Sequence, residues 1–132
     1  MRNFPEYKDA YKLHPEVQRR ADLYRDLLGV STTITSGYDE SGHATNSEHG
    51  SKDKDGLPCS EAVDMTSKCS LLWQFCCAVM AGFTNIGIYP AWNGIHAGIR
   101  QSDIEKKWIG LGSGSGQQYL SFNESNVKKY LK

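Results

Sequence analysis

The chain has 132 residues, 39% of them apolar and 23% charged, which suffices for one domain with its own core and without disulfide staples. Fifteen basic and fifteen acidic side chains cancel, so no global field draws the protein to nucleic acid or to an anionic membrane. No apolar run reaches the length of a membrane span, and Met1-Arg2-Asn3-Phe4-Pro5 lacks the apolar centre of a signal peptide; the expectation is a monomer made in the cytoplasm that meets its partner through a local site.

Residues 1–13 mix aromatic and charged side chains without a period and read as an arm over the domain. His14-Pro15 opens a helix, because proline suits the first helical position. Val17, Ala21, Tyr24, Leu27 and Leu28 recur at helical spacing, and Gly29 stops them. His14 at that boundary reads as a cap or surface residue. Val30 to Thr35 is rich in β-branched residues and predicts a strand. Asp39 to Pro58 is polar and glycine-containing, a long loop of the kind that carries function, although Ser51 to Gly56 within it reads as a solvated, flexible insertion.

Ser60 to Thr66 predicts a second strand. Leu71 to Met80 is apolar nearly all round, which predicts a buried helix closed by Gly82. Asn85 to Tyr89 and Gly94 to Arg100, joined by the turn Pro90 to Asn93, predict an antiparallel hairpin. Glycine at every second position from Gly110 to Gly116 has the composition of a flexible connector, and it lacks the Lys-Ser/Thr of a phosphate loop. Asn123 or Ser125 caps a short last helix. Cys69, Cys76 and Cys77 read as small buried hydrophobes; a Cys59–Cys69 bridge stays open. The whole predicts one α+β domain over 1–132, with a core at 15–108, an arm at 1–13 and a tail at 109–132. Its small antiparallel sheet packs against two or three helices, with a metal site in a cleft on the sheet.

Two histidines and a carboxylate form the ligand set of a catalytic zinc ion that keeps a fourth position open. Side chains alternate across a strand, so Ser60, Ala62 and Asp64 share one face, as do Gly94, His96, Gly98 and Arg100. If Asp64 and His96 face the same cleft, His49 from the loop completes three ligands for Zn2+.

The blocks Thr35-Ser36-Gly37-Tyr38, Ser47-x-His49, Ala62-x-Asp64, Gly87-Ile88-Tyr89 and Gly94-Ile95-His96 occur in this order. Over about Pro15 to Arg100 the chain resembles the zinc D-alanyl-D-alanine carboxypeptidase family, also called hedgehog-like, which includes bacteriophage endolysins and tail-associated peptidases. The resemblance implies an α+β fold, zinc on His49, Asp64 and His96, and hydrolysis of peptide bonds in peptidoglycan stem peptides. It implies action at the bacterial wall after release from the host cytoplasm, or from a virion. Tyr38, Ser47, Tyr89 and Trp92 are the expected groove residues.

Three positions depart from the family's pattern. The interval from His49 to Asp64 is longer than usual, which requires Ser51 to Leu57 to loop out. Asp39 stands where many members have arginine. The carboxylate expected three before or two after the last histidine is replaced by Asn93 and Gly98. A general base contributes about 10²–10⁴-fold in rate, so its absence decides between an active peptidase and a metal-binding but silent wall-binding or virion structural module. Glu48, Asp39, His43 and Glu61 are the replacement bases the sequence offers; Glu61 is expected to point away from Asp64, and Glu48 and His43 are the candidates carried forward.

Overall fold

In a computed structural model, which describes residues 1–39, 47–101, 106–112 and 116–132, the chain forms a six-stranded sheet with helices on one face. The strands are β1 (Thr32–Ser36), β2 (Ala62–Ser67), β3 (Asn85–Tyr89), β4 (Gly94–Gly98), β5 (Lys107–Leu111) and β6 (Gln118–Ser121); the helices are α1 (Pro15–Leu28), α2 (Leu71–Met80) and α3 (Glu124–Tyr130). The spatial order β1-β2-β4-β3-β5-β6 is antiparallel except for the β3–β5 pair. The α+β class and a mostly antiparallel sheet follow as the sequence predicts.

α1 begins where proline allows it. His14 Nδ1 accepts from the Glu16 amide at 3.0 Å, so His14 is a cap, and Gly29 ends the helix at φ +77°, a conformation that suits glycine. Val17, Ala21 and Tyr24 are fully buried in the core. The arm is docked: Phe4 and Leu13 join the core, and Leu13 bridges to Ser60. The hairpin of β3 and β4 turns through Pro90–Trp92, with Asn93 at φ +49°.

Three expectations are corrected. The glycine run from Gly110 to Gly116 does not begin as a connector: Gly110 and Leu111 belong to β5, which pairs with β3, and on either side of the run Ile109 and Leu131 are core residues; positions 113–115 lie outside the described residues. Thus the core draws residues from beyond position 108, from within the supposed tail. A Cβ on Gly110 would overlap the ring of Tyr89, so glycine serves there to let an aromatic side chain lie on the sheet. Second, α2 is not buried all round. It turns Leu71, Gln74, Cys77 and Ala78 inward, while Leu72, Trp73, Val79 and Met80 are 43–53% exposed. Among the described residues, no element covers the outer side of α2. Third, residues 51–59 form a closed turn. Asp53 Oδ1 accepts from the amides of Asp55 (2.8 Å) and Leu57 (3.0 Å), and the Cys59 amide donates to Ser51 O at 2.9 Å. The extra residues are looped out and their two ends meet. The four cysteines are unbridged, and no helix among the described residues is long and apolar enough to cross a membrane.

Candidate metal centre

Strand register does most of the positioning. Asp64 on β2 lies directly opposite His96 on β4, and His96 lies opposite Gly87 on β3, which in turn is level with Trp108 on β5. One row thus crosses the open face of the sheet, with Val63, Met65, Ile86, Ile88, Ile95, Ala97 and Ile109 buried on the helix side. His49 comes to this row from a 3-10 turn, Glu48–Gly50, in which the Ser47 hydroxyl accepts from the His49 amide. The Glu61 amide donates to Glu48 O at 2.9 Å and the Asp39 amide to His49 O at 2.9 Å, which tie that turn to both flanking segments.

The three side chains meet. His49 Nε2 is 3.2 Å from Asp64 Oδ1 and 3.2 Å from His96 Nδ1, and His96 Nδ1 is 3.1 Å from Asp64 Oδ1. The cluster is shielded, with His49 3% exposed and the His96 side chain 12% exposed. The outer nitrogens fix the tautomers. His49 Nδ1 donates to Gly37 O at 2.7 Å, because a carbonyl only accepts. His96 Nε2 donates to Glu48 Oε1 at 3.0 Å. With both rings neutral, each directs its remaining nitrogen lone pair at the other and at a carboxylate oxygen. Three acceptors that converge this closely are reconciled by a proton on one ring or by a metal ion among them.

The electrostatics agree. Burial alone would pull the His96 pKa down, but hydrogen bonds to Asp64 and Glu48 and their charges raise it to about 9. Burial would raise the Asp64 pKa, yet hydrogen bonds from His49 and His96 and their charge hold it well below the usual carboxylate range. Glu48 is likewise lowered: burial opposes ionisation, and His96, the Arg100 amide and Asn85 outweigh it. A proton on His96 Nδ1 fills that role when nothing else does. The group His49, Asp64 and His96 could equally hold a metal ion, since their ligand atoms all lie within 4.8 Å of one another and two imidazoles with one carboxylate suit a divalent transition metal.

The cluster opens into a pocket of about 710 Å³. Of the groove residues expected from sequence, Ser47, Tyr89 and Trp92 line it, whereas half-buried Tyr38 is not one of its lining residues. Glu48 lines it too, but both its oxygens are engaged: Oε1 by His96, Oε2 by Asn85 Nδ2 (3.2 Å) and the Arg100 amide (3.1 Å). His43 lies outside the described residues. Glu61, as expected, points elsewhere and accepts from Arg100 Nε (3.1 Å) and Ser51 Oγ (2.6 Å). Asn93 takes no part in the cluster; its Nδ2 donates to Ser67 O at 2.6 Å and Cys69 O at 3.0 Å.

Sequence reasoning missed Trp108, Asn85 and Tyr119, which line the pocket from β5, β3 and β6. Trp108 lies with its ring 5.3 Å from that of His96 and donates from Nε1 to Tyr89 Oη at 2.9 Å. It can lie there because Gly87 has no side chain; a Cβ would overlap the indole. The alternation Gly87/Tyr89 facing Trp108/Gly110 was a usable signal, since each glycine faces an aromatic residue of the neighbouring strand.

Comparison of the chain with protein-family models, with curated proteins and with solved structures finds no match to any of them.

Proposed function

We propose that this protein is a zinc peptidase of the bacterial cell wall, with His49 Nε2, Asp64 Oδ1 and His96 Nδ1 as ligands and the peptide bonds of peptidoglycan stem peptides as substrate. The observation that carries the reading is the convergence of three acceptors within 3.2 Å of one another, each ring's outer nitrogen being tied to an acceptor of its own. A zinc ion held by these three side chains would supply Lewis acidity, activating water near neutral pH and polarising a carbonyl. The substrate class rests on the family resemblance of the motif blocks.

The chain's own residues divide the remaining work. Gly37 O and the Glu48 carboxylate keep the two imidazoles in their ligating tautomers. Tyr89, Trp92 and Trp108 wall the pocket, with the Tyr89 and Trp92 rings stacked 5.0 Å apart; apolar walls exclude water and hold an extended peptide beside the centre.

A second reading, a metal-binding but catalytically silent wall-binding or virion structural module, is favoured by one observation. The two positions where the resemblance calls for a carboxylate hold Asn93, bonded to backbone carbonyls, and Gly98, and both oxygens of the Glu48 carboxylate are engaged by His96, Asn85 and the Arg100 amide. Turbidity of outer-membrane-permeabilised cells, followed with chelator-treated protein before and after zinc is restored, decides between them. A zinc-dependent fall in turbidity is the expected result. Zinc uptake without any fall establishes the silent module, and no uptake removes both.

A further inference from the structure

Glu48 and Gly98 are 50 positions apart in the chain and occupy one volume. The Glu48 carboxylate lies over the backbone of Gly98, so that a Cβ at position 98 would overlap Oε1, Oε2 and Cδ together. Gly98 is the residue two after His96, one of the two places from which the resemblance leads one to expect a carboxylate. We infer that this chain supplies that carboxylate from the other side: Glu48 is a positioning residue that reaches across the space left by Gly98 and holds His96 through Nε2, so that Nδ1 is the nitrogen offered to a metal ion. The inference rests on the reading that His49, Asp64 and His96 take a divalent ion.

Four features support the assignment. Glu48 immediately precedes His49, so one short turn delivers both a ligand and the partner of another ligand. The Glu48 side chain is only 12% exposed, unusual for a carboxylate without a fixed duty. Its second oxygen accepts from the Arg100 amide at 3.1 Å and Asn85 Nδ2 at 3.2 Å, which pins the carboxylate and hence the imidazole. Finally, Asn85 and Gly98 are direct partners across β3 and β4, so the seat for Glu48 is built by two neighbouring strands.

Geometry also separates this role from general-base work. A base must reach the reacting water, whereas Glu48 contacts the nitrogen of His96 opposite to the one that faces Asp64. Glutamine is a poor substitute: its single oxygen can serve His96 or the two donors on the other side, and its NH2 then faces a donor.

The test measures zinc affinity by competition with a chromophoric chelator, and the visible spectrum of the cobalt-substituted protein, for the full chain and for Glu48→Ala, Glu48→Gln, Gly98→Ala and the double variant Glu48→Ala/Gly98→Ala. Thermal melting of each metal-free protein reports the fold. Loss of an outer partner of a histidine ligand typically weakens metal binding about 10–100-fold, and that loss is expected for both Glu48 variants, with a shifted cobalt spectrum. Gly98→Ala is expected to weaken binding similarly on its own but to add almost nothing once Glu48 is alanine, because the overlap is then gone. Unchanged affinity and spectrum in Glu48→Ala, or additive losses in the double variant, overturn the inference while leaving the metal centre standing. Failure of the unsubstituted protein to take up zinc overturns the metal reading, and this inference with it.

Discussion

The two faces of the sheet are made by the same strands and behave oppositely. On the helix side, Val63, Met65, Ile86, Ile88, Ile95, Ala97 and Ile109 are fully buried. On the other, the intervening positions read Asp64, His96, Gly87, Trp108 and Gly110. The first face is held by volume and tolerates any residue of the right size and polarity. The second is held by partners: each imidazole nitrogen, Asp64 Oδ1 and both Glu48 carboxylate oxygens have a named counterpart, and glycine is used where a ring or a carboxylate must lie flat on the strand. One face stores stability and the other stores chemistry, and a shift of one residue in register would exchange them.

Substitutions can break that division. The largest effect is expected from His96→Ala, which should abolish zinc uptake measured by metal analysis of the purified protein while the far-UV circular dichroism stays native. Ile95→Ala, one residue away on the opposite face, should cost about 2–5 kcal/mol in urea unfolding, as for other large-to-small core changes, with the metal ligands intact. Gly87→Ala should cost about 1–3 kcal/mol, as overpacking does, and should also move Trp108 off its seat beside His96, visible as a change in tryptophan fluorescence. The smallest effect is a matter of pH. Burial raises the Tyr89 pKa to about 12, partly offset by the hydrogen bond from Trp108. A group whose folded pKa is raised favours the fold fully below its unfolded value, near 10, and loses that contribution as pH climbs from there to about 12. Difference absorbance of tyrosinate should accordingly show Tyr89 ionising late, and Tyr89→Phe should flatten the alkaline fall in stability over that interval.

Much of this was legible in the sequence. Alternation in 62–66 and 94–98 was enough to put Asp64 and His96 on one face, Pro15 and Gly29 mark the limits of α1, and the motif order pointed to His49. What was not legible depends on distance in three dimensions. Gly110 in a glycine-rich run looks like a linker residue until Tyr89 is seen lying on it. The apolar outer side of α2 cannot be told from a buried one by periodicity, because how many layers the fold has is decided elsewhere. The partnership of Glu48 with Gly98 is invisible for the same reason: glycine shows nothing of what fills the space it leaves. Trp108 fell past residue 100, where the motif resemblance ends.

The closed turn at 51–59 has a consequence for how such a centre can be handled. Because the Cys59 amide and Ser51 carbonyl already meet at 2.9 Å, the chain beyond them is a detachable lobe, and the entropy of closing a loop grows only slowly with its length. A fluorophore, an affinity handle or a small reporter peptide spliced between Lys54 and Gly56 would therefore ride outside the scaffold while His49 and Asp64 keep their separation. That splice point gives a tethered probe of metal loading without touching a ligand.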